Sequence, residues 1–200
     1  MKLTLGLLVA TAVVYVVIRS IASVSNYGID VADRFVERLA YIPSKTHSLL
    51  TRDSLENWLG DPNNAGAIAG YVVPVLFPLD LLFLLLLGCL LGAASTTLSN
   101  ELPMLSAIPS TIWWVLPFIY LISDLAEDTL MAGIFKSVVP LTDDWFQLLH
   151  VLTTTKIASL TAAFGQAGFL GFCVSCCASI PRATHESVNH GMKSFRFPLF

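Results

Sequence analysis

The sequence predicts an all-α fold: an integral membrane four-helix bundle with an interfacial amphipathic segment after the first helix. Hydrophobic residues make up 55% of the 200 positions and charged residues only 12%, whereas a typical soluble domain has about 25% charged residues. The mean hydropathy is +0.73. Four apolar runs reach the length of about 20 residues that a helix needs to cross the hydrocarbon core of a membrane.

Charge and cysteine usage exclude two broad classes. The chain has 14 acidic and 11 basic residues, for a net charge of -3, and the bases do not gather into a patch. Nucleic-acid binding needs such a basic surface, so nucleic acid is not an expected partner. The four cysteines lie in or at the ends of apolar runs, which is unlike the disulfide framework of a secreted domain.

The N-terminal residues 1–24 are expected to form a first transmembrane helix or retained signal-anchor. An apolar run follows the single base Lys2, a pattern that a cleaved secretory signal also shows. Residues 25–66 are expected to form an interfacial loop with short helices. Within it, residues 30–39 alternate charged and apolar side chains at helical spacing, which indicates an amphipathic helix at the interface or against a partner. A solvated connector is the alternative.

The loop is expected to contain a second short helix at residues 51–59, followed by a turn at 61–66 that ends it. Residues 67–177 then form a three-helix transmembrane core, and 178–200 an extramembrane tail. The three spans of the core are predicted at residues 67–94, 108–135 and 146–175.

The first span of the core contains features that shape a membrane helix. Pro74 and Pro78 predict a kink just ahead of Asp80, because proline removes a helical hydrogen bond. Gly88 and Gly92 form a GxxxG pattern, which admits close packing of a second helix.

Five charged side chains are expected to meet inside the bundle: Asp80, Asp124, Glu127, Asp128 and Lys156. Counted along three antiparallel spans at 1.5 Å per residue, their depths fall within roughly 9 Å of one another. Positions 124, 127 and 128 share one helix face. Each charge costs about 2.5–3.5 kcal/mol at the centre of a membrane helix, so the cluster needs pairing, protonation, water or burial in protein.

Two interpretations of the cluster compete. In the structural one it is a polar lock that fixes helix register, with Lys156 paired to Asp124 or Asp128. The hydroxyls expected to complete it are those of Ser123, Thr153 and Thr154. In the functional one the acids form a proton relay or a site for a hard cation such as Ca²⁺ or Mg²⁺, which Lys156 regulates.

No cofactor is expected beyond bound lipids. Three cysteines crowd the end of the last span and are candidate lipidation sites: Cys173, Cys176 and Cys177. They lack a second cysteine pair or a well-spaced histidine partner, so a zinc site is not favoured. No metal site with cysteine or histidine ligands, Walker loop, dinucleotide fingerprint, HExxH motif or nucleophile elbow is found, and no catalytic residue is assigned.

The segments Pro78-Leu-Asp-Leu-Leu-Phe83, Ser123-Asp-Leu-Ala-Glu-Asp128 and Thr155-Lys156 resemble those of a family of uncharacterised small multi-pass membrane proteins. Such proteins carry a PLDLLF-like helix, a DxxE[ND] helix and a later lysine. The resemblance covers about residues 67–172. It implies that the acids belong together, and it implies no activity.

The function expected from these features is that of a non-catalytic accessory or structural subunit of a larger membrane complex, of the respiratory or another bioenergetic kind. Membrane lipids and other membrane subunits are the expected partners, the subunits through the 25–66 loop and the C-terminal tail. The mitochondrial inner membrane is the location this implies. The alternative is a small proton- or cation-coupled transporter or channel that uses the acidic cluster, and a lipid-modifying enzyme is a third hypothesis.

Overall fold

A computed structural model describes residues 2–21 and 52–179, and within them the chain is helical without strands. The predicted all-α class is therefore confirmed for this part of the chain. The predicted amphipathic helix at 30–39 and the tail from residue 180 lie outside the described residues. The α-helices, labelled in chain order, are α1 (Lys2–Ser20), α2 (Arg52–Gly60), α3 (Ala65–Gly70), α4 (Leu81–Asn100), α5 (Val115–Phe135) and α6 (Asp143–Ser179).

Three helical stretches of the described chain are long and apolar enough to cross a membrane: Lys2–Ser20, Pro62–Asn100 and Asp143–Cys177. They include residues 2–20 of the predicted first span and contain the predicted second and fourth spans. The predicted third span corresponds to α5, a helix of 21 residues that carries three carboxylates. Those charges set it apart in composition from the other three, so a count of four membrane helices stays a prediction.

The predicted kink ahead of Asp80 is confirmed. A segment of wide helical turns, Tyr71–Asp80, joins α3 to α4 and is interrupted by non-helical backbone at Val73 and Phe77. Each of these residues precedes a proline, whose ring disfavours the helical conformation of the residue before it. We call Tyr71–Asp80 the broken segment. It places Asp80 directly at the N-terminal end of α4.

Several helix boundaries differ from the prediction: α5 begins at Val115 where the span was expected from 108, and α6 covers Asp143–Ser179 where the span was expected at 146–175. Helix α4 continues through the polar stretch after residue 94, where carbonyls one turn earlier accept hydrogen bonds from the threonine hydroxyls: Thr96 donates to Gly92 O at 2.8 Å and Thr97 to Ala93 O at 2.7 Å. The turn expected at 61–66 is a short 3-10 helix, Pro62–Asn64, that leads directly into α3.

The helices pack around α4. Helix α5 lies against α6, α4 contacts both, and α1 packs on α4. A buried apolar cluster joins α4, α5 and α6 at the centre: Leu84, Leu87, Leu91, Tyr120 and Ala163. A second cluster lies at the other end of α5 and includes Leu55, Val72, Leu130, Ile134 and Leu149. Along α5, a buried apolar layer therefore lies before the carboxylates and another lies after them.

The GxxxG glycines of α4 permit a close approach of α5 and of the short helix before it. A Cβ at Gly88 would lie 2.8 Å from Leu121 Cγ, and one at Gly92 would overlap the indole of Trp114. Leu121 can change rotamer, whereas the Trp114 ring, although 37% exposed, is rigid and would have to shift as a whole. Gly165 on α6 has no such neighbour within 4 Å.

We therefore expect Gly92→Ala to destabilise the protein by about 1–3 kcal/mol, because the added methyl group overpacks the contact with Trp114. Gly165→Ala is the matched control, and its intrinsic helix propensity should leave stability equal or higher. Denaturant unfolding of both variants in one detergent measures the difference. Equal stability of the two would mean that the Gly92–Trp114 contact does not hold α4 in place.

Candidate functional site

The five charged residues singled out in the sequence meet inside the helix bundle. Asp80 comes from the end of the broken segment, the other three acids from α5, and Lys156 from α6. Asp124, Glu127 and Asp128 are only 2%, 2% and 3% exposed. We call these five residues the acidic site. The three acids of α5 lie together because positions 124, 127 and 128 share one face of that helix.

One half of the site is a paired network centred on Lys156. Its ammonium nitrogen Nζ lies 2.5 Å from Asp124 Oδ1 and 2.7 Å from Glu127 Oε2. The hydroxyl of Thr153, one turn earlier on α6, donates to the other Glu127 oxygen at 2.5 Å. These contacts tie α5 to α6 and give both Glu127 oxygens a partner, which is the arrangement that a buried ion pair needs.

The partners of Lys156 differ in part from the expected lock. Of the two alternatives for the lysine's partner, Asp124 is the one found, and Glu127 is a further partner that was not expected. Consecutive residues of a helix point about 100° apart, so Glu127 faces α6 while Asp128 turns toward the acid contributed by Asp80. Two of the expected hydroxyls bond within their own helices: Ser123 donates to Ile119 O and Thr154 to His150 O.

The other half of the site is formed by two carboxyls that lack a cation, Asp80 and Asp128, next to the paired Asp124. One oxygen each from Asp80, Asp124 and Asp128 lies within 4.8 Å of the others. Among the described residues, no basic side chain forms an ion pair with Asp80 or Asp128. Asp128 Oδ2 is buried and has no hydrogen-bond partner there. We call Asp80 and Asp128 the carboxyl pair.

Elementary electrostatics limits what the carboxyl pair can be. Four carboxyls facing one ammonium leave three negative charges if all are ionised. Like charges at this separation disfavour joint ionisation. The pair must therefore hold a proton, or face a cation whose hard character suits oxygen ligands. Three carboxylates supply part of a cation's coordination shell, with water or backbone carbonyls required for the remainder.

Tyr120 also belongs to the site, although it was not among the residues predicted from the sequence. Its side chain is 1% exposed and interacts with the carboxylate of Asp124 one turn later. The signal was present in the i, i+4 spacing from Asp124. In an aromatic-rich apolar helix, that spacing by itself does not distinguish a site residue from a core residue.

The cysteines lie away from the acidic site. Cys173 is half-buried, and Cys176 and Cys177 are exposed near the end of α6, all as free thiols. Their lipidation stays a prediction. In the described ranges 2–21 and 52–179, the group of side chains with metal-ligand geometry is the set Asp80, Asp124 and Asp128.

Comparison of the chain with protein-family models, curated proteins and solved structures gave no match. The resemblance to a family of small multi-pass membrane proteins accordingly stays a prediction, and function has to be inferred from the geometry of the acidic site.

Replacing a charged residue by a neutral one should change the stability of the protein in opposite directions in the two halves of the site. Lys156→Met leaves Asp124 and Glu127 as buried carboxylates without a cation, and we expect it to cost about 3–5 kcal/mol of stability. Asp128→Asn removes an unpaired carboxylate and supplies an amide donor to Asp80, so we expect equal or greater stability. Unfolding in detergent measures both variants.

The companion variant Asp124→Asn should lose stability, because it weakens a pair that Asp128→Asn leaves intact. If Asp128→Asn instead destabilises the fold as much as Lys156→Met does, Asp128 belongs to the lock and the division into two halves is wrong.

Proposed function

We propose that this protein is a multi-pass membrane protein in which the carboxyl pair binds and releases a proton or a cation, as the coupling site of a small transporter or channel. The observation that carries the proposal is the buried Asp128 carboxylate, which faces Asp80 and has an oxygen without a hydrogen-bond partner among the described residues.

The surface of the bundle supports a membrane location. Large apolar side chains lie on the outside of the helices, with Phe118 60% exposed, Ile122 55%, Phe169 66% and Phe172 68%. Soluble monomers rarely expose contiguous apolar surface on this scale. Lipid chains or neighbouring membrane helices provide the apolar cover that such side chains need.

A purely structural lock accounts for only half of the acidic site. Lys156, Asp124, Glu127 and Thr153 already join α5 to α6. Asp80 and Asp128 add negative charge to that network without adding a cation, which raises the electrostatic cost of the buried site. Ionisable groups in apolar helices are by default markers of proton or ion pathways when they are not fully paired.

The broken segment supports the same function. Its interruptions at Val73 and Phe77 lie within two helical turns of Asp80. Discontinuous helices bring backbone polar groups to coupling-ion sites in membrane transporters. Asp80 is half-buried whereas Asp124 and Asp128 are buried. This gradient of exposure favours exchange of the bound proton or cation on the side of Asp80.

Ion flux in proteoliposomes tests the proposal. We expect purified protein to carry protons or a monovalent or divalent cation down an imposed gradient. Asp80→Asn and Asp128→Asn should reduce the flux to that of protein-free vesicles, because each removes a titratable carboxyl of the pair. Asp144→Asn, at an exposed acid in the first turn of α6, is the matched control and should retain the flux.

Unfolding curves of the same preparations confirm that each variant is folded. Wild-type protein that produces no flux for protons, Na⁺, K⁺, Mg²⁺ or Ca²⁺ would exclude transport by the isolated protein. Flux that survives in both Asp80→Asn and Asp128→Asn would place the pathway elsewhere.

The glycine-bearing face of α6 favours a second candidate, the accessory subunit of a larger membrane complex. A Cβ added at Gly165 or Gly168 would meet no neighbouring atom of the described residues within 4 Å. Phe164 and Phe172, one turn either side of Gly168, are exposed. Small residues between large ones let a neighbouring membrane helix approach closely. The complex in this second proposal is a bioenergetic one, for example a respiratory complex of the mitochondrial inner membrane. This more specific assignment rests on the sequence alone.

Native gel electrophoresis after mild detergent extraction tests the second candidate. The protein should migrate with a larger assembly, and Gly168→Leu should release it as a folded monomer because the leucine blocks the close approach. Gly6→Leu on α1, where a Cβ also meets nothing within 4 Å, should leave the assembly intact. Migration of the wild-type protein alone or as a homo-oligomer would exclude the accessory-subunit role.

A further inference from the structure

A cavity of about 430 Å³ lies between the C-terminal end of α5 and the chain from α2 to the broken segment. Most of its wall is apolar and includes Ile68, Ala69, Val72 and Phe135. Its volume falls in the range of cavities that bind small molecules, about 300–1,000 Å³. The acidic site takes no part in its lining, so the cavity is a separate site.

Two opposite charges accompany this apolar wall. Lys136 lies directly after the last residue of α5, is exposed and lines the cavity. No carboxylate of the described chain forms an ion pair with it. Asp61 lines the same cavity, and its Oδ1 accepts hydrogen bonds from the backbone and side-chain amides of Asn63, both at 2.9 Å. Its Oδ2 accepts none from the described residues.

The position of the cavity fits an amphiphile. It lies where α5 ends and the apolar stretch Pro62–Asn100 begins, which is the level of the lipid headgroups if these helices span a membrane. An apolar wall next to charged groups at that level provides contacts for both an acyl chain and a headgroup.

We propose that this cavity binds one zwitterionic phospholipid with a primary amine in its headgroup. Lys136 binds the phosphate, Asp61 binds the ammonium through Oδ2, and Ile68, Val72 and Phe135 contact the first part of an acyl chain. This assignment relies on the membrane location that is part of the proposed function and not on ion transport.

The charges decide between lipid classes. An anionic headgroup would be attracted by Lys136, but its negative charge would be repelled by Asp61. A zwitterionic headgroup has a charge of opposite sign for each of these two residues. Between zwitterionic lipids, a primary ammonium donates hydrogen bonds to a carboxylate, and a trimethylated amine has no N–H to donate. The structure therefore favours phosphatidylethanolamine over phosphatidylcholine and phosphatidylglycerol.

Native mass spectrometry of the full chain tests the assignment. Protein is equilibrated in detergent with equal amounts of phosphatidylethanolamine, phosphatidylcholine and phosphatidylglycerol of the same acyl chains. We expect selective retention of one phosphatidylethanolamine. Lys136→Gln and Asp61→Asn should each weaken it by about tenfold, the loss expected for one charge-assisted hydrogen bond. Asparagine still caps a helix, so Asp61→Asn keeps the local fold.

Two further variants separate binding from general lipid adhesion. Ala69→Trp, at an exposed position of the cavity wall, should abolish retention by filling the cavity. Lys2→Gln, which removes an equal charge far along the chain, should retain the lipid. Equal retention of the three lipids, or unchanged retention in Lys136→Gln, Asp61→Asn and Ala69→Trp, would overturn the proposal.

The outcome is distinguishable from failure of the proposed function. Wild-type protein that carries no flux but retains phosphatidylethanolamine selectively would exclude transport and support this site. Flux without lipid selectivity would overturn this site alone. Extraction of the protein from membranes by alkaline carbonate would refute the membrane location and both proposals together.

Discussion

The fold depends on one buried ammonium group. Lys156 lies between Asp124 and Glu127 and connects two helices that are joined elsewhere mainly by apolar packing. Dispersion and apolar burial are weakly directional, so they permit neighbouring helices to slide past each other. An ion pair with a further hydroxyl donor accepts only one register, because any shift leaves a buried charge without a partner. The lysine thereby fixes where along α6 the acids of α5 come to lie.

The register fixed between α5 and α6 has an electrostatic cost where α5 meets the start of α4. When Glu127 faces α6, Asp128 points about 100° away from it, toward α4. There it meets a second acid, Asp80. The broken segment delivers Asp80 to this point at the start of α4. A paired network and an unpaired one thus share a single turn of α5. The first stabilises the bundle, and the second is tolerable only with a proton or cation.

Much of this arrangement was predictable from the sequence because helix periodicity and membrane-like length dominate it. The long apolar runs, the kink at Pro74 and Pro78 and the common face of Asp124, Glu127 and Asp128 follow from local rules. The convergence of Asp80 and Lys156 followed from counting depth along antiparallel helices. Each of these inferences needs only the rise per residue and the spacing of side chains.

The remainder needed three dimensions. Glu127 and Asp128 are neighbours in sequence and equally acidic, so only the rotation of α5 decides which one meets Lys156. Thr96 and Thr97 have the composition of a polar loop, but they lie within α4, where their hydroxyls donate to carbonyls one turn earlier. The charged cavity beside Phe135 joins residues from distant parts of the chain. These features cannot be predicted from a local sequence pattern, because each one depends on how whole helices pack.

The consecutive placement of Glu127 and Asp128 has a mechanical consequence. Helix α5 cannot rotate about its axis to bring Asp128 toward α6 without carrying Glu127 away from the ammonium of Lys156. A change in the charge of Asp128 would alter its attraction to Lys156. That attraction favours rotation of α5 about its axis, and the contact between Glu127 and Lys156 opposes the rotation. If Asp128 binds a proton or cation as proposed, occupancy of that one carboxyl would bias the orientation of the whole 21-residue helix.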